Sequence, residues 1–136
     1  MEMIEKPGVQ FEGAFAGREG YLKCTAGDRS MSIFWELGFD PQPFMRVSRI
    51  KRKWENGENV AATVQCEILR ALRLWLTKNG IRSDMVPPGG VEPNGTRCLW
   101  ASCSESACGS LAICANHFDQ GFLETEAGYG DPHRDC

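Results

Sequence analysis

Histidine is scarce in this sequence. The 136 residues include only two, His117 and His133. A Ser/His/Asp triad needs a histidine as its general base, and His117 belongs to a metal-ligand pattern described below. Glycine-rich phosphate motifs are missing too, since residues 13–20 read GAFAGREG and fit neither G-x-G-x-x-G nor the P-loop pattern. These absences disfavour triad hydrolases and nucleotide-binding enzymes.

Long apolar runs are also missing. No stretch approaches the roughly 18 residues that a membrane span requires. The first residues, MEMIEKPG, carry two glutamates and no apolar stretch of signal-peptide length. We therefore expect a cytoplasmic protein without a membrane partner. A reducing compartment disfavours structural disulfides, and seven cysteines cannot all pair within one chain.

The chain has little excess charge of either sign. Its formal net charge is −3, and residues 119–136 alone hold five acidic residues against one arginine. The remainder is close to neutral and lacks the general basic character of nucleic-acid-binding domains. Hydrophobic residues make up 42% of the chain, enough for one modest soluble core. We expect residues 119–136 to form a flexible acidic tail.

Three extended runs are predicted in the first half of the chain. Residues 9–16 alternate apolar and polar side chains and indicate a first strand interrupted by glycine. Residues 21–37 read as a hairpin that turns at Ala26-Gly27-Asp28. Residues 44–54, FMRVSRIKRKW, form a third extended run whose alternation breaks after Val47.

A helix is predicted from Val60 to Lys78. Apolar side chains recur at spacings of three and four, as on one helical face, and Asn59 is a plausible N-cap. The sequence thus predicts an α+β fold: an antiparallel sheet of three to four strands packed by one long amphipathic helix, plus a small C-terminal zinc knuckle. The expected organisation is an α+β domain at 1–86, a Pro/Gly linker at 87–97, a zinc-binding module at 98–118 and the acidic tail at 119–136.

The zinc knuckle is predicted from a cluster of cysteines near the C-terminal end. Cys98, Cys103, Cys114 and His117 have the spacing C-x4-C-x10-C-x2-H. Cys114 and His117 are three residues apart, so on a helix they share one face. Two ligands from a tight turn and two from a second short element are typical of structural, tetrahedral Zn²⁺ sites.

The same segment resembles the zinc-binding segments of phage and bacterial nucleic-acid-processing proteins of the HNH type. The matching residues are Cys98, Cys103, Gly109, Cys114, His117 and Phe118. The resemblance implies a structural metal cluster near a nucleic-acid-binding surface and a phage or mobile-element origin. It covers residues 98–118 and does not include residues 1–90. HNH catalysis needs a further histidine to activate water, and only His133 remains, so nuclease activity is not expected.

Several alternatives to the closed zinc site stay open. Cys108 can replace His117 in an all-cysteine or iron–sulfur site, the cysteines can form disulfides, or they can be unliganded thiols. Three cysteines plus a water would form an open, hydrolytic zinc site. Cys24 and Cys66 fall in the strand and helix regions and are expected in the core, and Cys136 is expected to be an exposed terminal thiol.

A basic segment occupies residues 46–53. It contains Arg46, Arg49, Lys51, Arg52 and Lys53 and is followed by Trp54. On an exposed strand, such residues contact a phosphate backbone and stack a base. The alternatives are a sheet edge protected from aggregation by its charges, or a docking site for an acidic protein.

The leading functional hypothesis is binding rather than catalysis. We expect a small zinc-stabilised accessory protein that acts through protein–protein contact, with Trp35, Trp54 and Trp100 as candidate contact aromatics. Nucleic-acid binding through residues 46–53 is the alternative, and a metal-dependent hydrolase is the third hypothesis. No feature of the sequence indicates an oligomeric state.

Overall fold

The structure, a computed structural model, describes residues 8–39, 42–86, 92–100 and 103–124. Its elements in chain order are β1 Gln10–Glu12, β2 Glu19–Ala26, β3 Arg29–Phe39, β4 Pro43–Val47, α1 Ala62–Lys78, β5 Pro93–Arg97, β6 Ser106–Cys108 and α2 Ala115–Gln120. The first four strands form one antiparallel sheet in the order β1-β2-β3-β4, and β5 pairs with β6. The predicted mixture of helices with a four-stranded antiparallel sheet is confirmed.

The centre of the larger sheet is the hairpin of β2 and β3. Ala26 lies opposite Arg29, which leaves a two-residue turn at Gly27-Asp28. Gly27 has a φ of +66°, the left-handed conformation that tight hairpin turns require at their first central position. Side chains along both strands alternate between buried and outward-facing positions, so the sheet has one core face and one outer face.

The core lies between the inner face of the sheet and α1. Its sheet residues are Leu22, Cys24, Met31, Ile33, Trp35, Met45 and Val47, and its helix residues include Cys66, Ile68, Leu69, Leu72 and Leu76. Aromatic rings close one end, where Phe11 and Phe15 lie 5.8 and 5.7 Å from Trp75. Burial raises the pKa of the Cys24 thiol to about 12, so this cysteine stays protonated.

The third extended run is shorter than predicted. β4 ends at Val47, whose N–H donates to Asp84 Oδ1 at 3.2 Å, while the Ser48 N–H still donates to Phe34 O at 2.9 Å. Beyond it, Ile50 and Lys53 form isolated bridges with Leu123 and Asn59. The predicted extended run is therefore a strand only as far as Val47, where its alternation was expected to break, and of the predicted basic residues only Arg46 lies in a strand.

The start of α1 also differs from the prediction. The N-cap residue is Ala61, whose backbone is extended. Asn59 was expected at this position, but its side-chain oxygen accepts a hydrogen bond from Lys53 Nζ at 3.2 Å. The asparagine therefore supports the preceding loop and does not cap the helix.

Residues 119–124, expected in the tail, are part of the fold. Leu123 is buried in the main core, and Phe122 packs against it. The Ile50 N–H donates to Phe122 O at 2.7 Å, and the Glu124 N–H donates to Ile50 O at 2.9 Å. The rest of the predicted tail, with His133 and Cys136, lies outside the described residues.

Two smaller boundaries shift as well. β1 covers only Gln10–Glu12 of the strand predicted over residues 9–16. β5 occupies Pro93–Arg97, the end of the predicted linker, while residues 87–91 lie outside the described ranges. Neither helix in the described part of the chain is long and apolar enough to cross a bilayer.

Candidate metal centre

The cysteine-rich segment folds around the small β5–β6 sheet. Cys98 directly follows β5, and Cys103 lies in the loop that leads to β6. Arg97 Nε donates to Cys103 O at 3.1 Å, which draws the two ends of this loop together. Cys114 is the N-cap residue of α2, and His117 lies within the first turn of that helix. The four side chains therefore meet where a turn and a short helix come together, which is the predicted pairing.

The four ligand atoms form one compact cluster. All lie within 4.8 Å of one another, and His117 Nδ1 is 3.4 Å from Cys98 Sγ and 3.2 Å from Cys114 Sγ. In a tetrahedral zinc site, with Zn–S about 2.3 Å and Zn–N about 2.05 Å, sulfur and nitrogen are about 3.6 Å apart. Each of the four residues is at most 4% exposed. The residues present therefore fit a metal ion, and the group could hold one.

Backbone amides support two of the sulfurs. The Trp100 N–H donates to Cys98 Sγ, and the Glu105 N–H donates to Cys103 Sγ, both at 3.4 Å. Such donors stabilise a thiolate more than a thiol. Burial acts in the opposite direction and raises the pKa of Cys114 to about 11. A divalent cation among the sulfurs would reverse this effect, because coordination favours the thiolate.

Trp100 packs against the imidazole of His117. The Trp100 and His117 rings stack with centroids 4.4 Å apart and planes inclined by 8°. The indole therefore covers one face of the imidazole and restricts its rotation. The sequence indicated Trp100 only as a contact aromatic. Its position two residues after Cys98, a cysteine of the predicted ligand pattern, was the only signal for this orienting role.

The structure separates the alternatives for the cysteines. Cys98, Cys103 and Cys114 are reduced thiols in the part of the chain that the structure describes, so the disulfide alternative is wrong for them. Cys108 is buried on β6 but does not belong to the four-atom cluster. His117, rather than Cys108, therefore completes the group.

The basic segment has a different environment from the one predicted. Arg46, Arg49, Lys51 and Lys53 are exposed, and Arg52 is half-buried. Trp54 is only 4% exposed, so it cannot stack on a base without leaving the core. Trp35, at 2% exposed, is likewise a core residue and not a contact aromatic. The segment thus presents cations to solvent without a neighbouring tryptophan platform.

No family model, curated protein or solved structure matches this chain. The similarity to HNH-type proteins therefore rests on the spacing of residues 98–118 alone.

Proposed function

We propose that this chain is a small binding protein stabilised by a structural Zn²⁺ ion. The observation that carries the proposal is the closed group of three buried sulfurs and one imidazole nitrogen. Thiolate and imidazole donors in a tetrahedral arrangement suit zinc better than magnesium or calcium, which prefer oxygen ligands. When bound, the ion would supply cross-linking between Cys98, Cys103 and the α2 residues Cys114 and His117.

A structural role fits this donor set better than catalysis. A catalytic zinc keeps one coordination position open for water, usually beside three protein ligands. Four protein donors fill a tetrahedral shell. A hydrolase at this position would require one of the four to leave the ion, and no feature of the geometry favours that.

The need for a metal follows from the small size of the module. The buried cluster around the ligands consists of Cys98, Cys103 and Cys114, with Trp100 and Ile113 packed on it. That apolar surface is too small to stabilise β5, β6 and α2 by itself. Zinc binding supplies folding free energy in such modules. The Arg73–Asp119 ion pair then connects α2 to α1 of the main domain.

Exposed apolar side chains support contact with another protein. They include Tyr21, Phe39, Leu74 and, next to the metal ligand Cys98, Leu99. Single exposed apolar residues are ordinary, but aromatic residues are enriched where proteins bind one another. Protein–protein contact is therefore the leading role, with the zinc module as a rigid part of the surface.

The proposal is tested by elemental analysis of untagged protein purified without added metal. We expect one zinc ion per chain, and replacement by Co²⁺ should produce thiolate-to-cobalt charge-transfer absorption. Iron with visible absorbance would indicate the iron–sulfur alternative. Folded protein that contains no metal would contradict the proposal.

Nucleic-acid binding is a second candidate, supported by the exposed cations of residues 46–53. Fluorescence anisotropy with a labelled single-stranded oligonucleotide should show binding that weakens steeply with salt. Arg49→Ala should reduce the salt slope by about one if that side chain contacts a phosphate. Lys78→Ala, at the end of α1, is the control and should leave the slope unchanged. Absence of binding at low salt would reject this candidate.

A further inference from the structure

The outer face of the larger sheet carries an exposed aromatic pair. Tyr21 on β2 and Phe34 on β3 lie directly opposite each other, and their ring centroids are 5.4 Å apart. Tyr21 is 63% exposed. Cross-strand aromatic pairs stabilise sheets, but so large an exposed fraction leaves most of the tyrosine surface in water. The signal for this pair in the sequence is the alternation of residues along 19–25 and 30–36.

Charged residues flank the aromatic pair in two rows. On one side, Glu19 lies opposite Glu36, which lies opposite Arg46. On the other side, Lys23 lies between Glu12 on β1 and Ser32 on β3, and Glu55 accepts a hydrogen bond from Ser32 Oγ at 3.0 Å. Each row is two residues, about 7 Å, from the aromatic pair. Along β2 the order is therefore acid, tyrosine, lysine.

We infer that this face binds a second copy of the chain, and that the contact is a two-fold symmetric packing of two outer sheet faces. The two-fold axis lies between the two facing sheets, perpendicular to the strands, at the level of Tyr21 and Phe34. It therefore reverses the order of the two charged rows in the second copy. Lys23 of each copy then faces Glu19 of the other, and Arg46 approaches Glu55. The two aromatic pairs meet at the centre, as in the aligned packing of two sheets.

The charges within one copy favour this arrangement. Glu19 and Glu36 are like charges directly opposite each other, which destabilises an antiparallel pair. A lysine from a second copy would offset that repulsion. The four exposed carboxylates Glu12, Glu19, Glu36 and Glu55 also make the face a poor match for the phosphates of a nucleic acid. The inference rests on the proposed protein-binding function and identifies the bound protein as a second copy of the chain.

The first measurement is sedimentation velocity of the zinc-loaded full chain over a range of concentrations. We expect reversible association to twice the mass of one chain. Lys23→Glu and Glu19→Lys should each weaken self-association by about tenfold or more, because each places like charges opposite each other twice in the dimer. Lys51→Glu, away from this face, is the matched control and should leave association unchanged.

Mixing the two variants is the decisive test. In an equimolar mixture of Lys23→Glu and Glu19→Lys chains, both cross-contacts again join opposite charges, so the dimer should return to near its original affinity. Thermal melts of each variant verify that the exposed substitutions leave the fold intact. A chain that stays monomeric at every concentration, or a mixture that does not recover, would overturn the inference. So would binding of this face to a different protein while the chain itself remains monomeric.

The zinc content of the same samples separates this inference from the proposed function. A monomer that contains zinc would contradict the dimer but would remain consistent with the proposed zinc-stabilised binding protein. A dimer that contains no zinc would contradict the metal proposal and support the sheet-face contact.

Discussion

Cys114→Ser is expected to abolish stoichiometric zinc binding and to unfold β5, β6 and α2, while the four-stranded sheet and α1 stay folded. Cys114 provides one of four buried donors and is the N-cap residue of α2. Apparent binding free energies of structural zinc in small finger modules are about 10–16 kcal/mol. We therefore expect the module to be unfolded when one of the four ligands is lost. Hydrogen exchange read by mass spectrometry should show protection lost over residues 92–120 and retained over residues 19–39.

Cys108→Ser is the matched control for this prediction. Cys108 is as buried as the ligand cysteines and lies in the same module, but it is outside the four-atom cluster. Its replacement should leave one zinc per chain. If Cys108→Ser loses the metal while His117→Ala keeps it, the ligands are four cysteines and the assignment of His117 is wrong. Loss of protection throughout the chain in Cys114→Ser would show that the two parts fold as one unit.

Gln65→Leu is expected to destabilise the chain by about 3 kcal/mol, mainly through the carbonyl groups of Lys51 and Glu124, which lose their donor. The two N–H donors of the buried Gln65 amide are shared among three carbonyl oxygens: Ile50 O at 3.1 Å, Lys51 O at 3.2 Å and Glu124 O at 2.9 Å. Leucine keeps the volume but removes the donors. Each buried acceptor left unsatisfied costs about 1–3 kcal/mol, and Ile50 O still accepts from the Glu124 N–H. Urea denaturation measures the change in the free energy of unfolding.

Leu72→Ala is the comparator for Gln65→Leu. Leu72 is fully buried on α1, and its truncation should cost a similar amount, about 3 kcal/mol, through the cavity it leaves. The two variants should differ in hydrogen exchange. Gln65→Leu should selectively accelerate exchange of the Ile50 and Glu124 amides, whereas Leu72→Ala should accelerate exchange throughout the core. Equal exchange patterns in the two variants would contradict a specific bridging role for Gln65.

Local patterns explain what could be predicted. The β2–β3 hairpin follows from alternating apolar residues on both sides of Gly27, whose positive φ suits the turn. The four members of the cysteine–histidine group follow from their spacing, since ligands of one ion must come from short neighbouring segments. Both features depend on residues close together in the chain, where sequence periodicity carries the information.

Long-range contacts explain what could not be predicted. The end of β4 is held in place by the hydrogen bond from the Val47 N–H to Asp84 Oδ1, thirty-seven residues away. Leu123 joins the core through a bridge to Ile50, although its acidic surroundings in the sequence are typical of a solvated tail. The burial of Trp54 likewise depends on packing that a basic neighbourhood does not reveal. In each case a distant partner overrides the local composition.

The stacking of Trp100 on His117 gives the chain an internal optical probe. A stacked imidazole alters the emission of an indole, and the module that holds the two rings together is expected to unfold when the ion leaves. The emission of Trp100 should therefore change as the ion enters or leaves, above a constant background from the three tryptophans of the main domain. Ion uptake can thus be followed in real time without an attached dye.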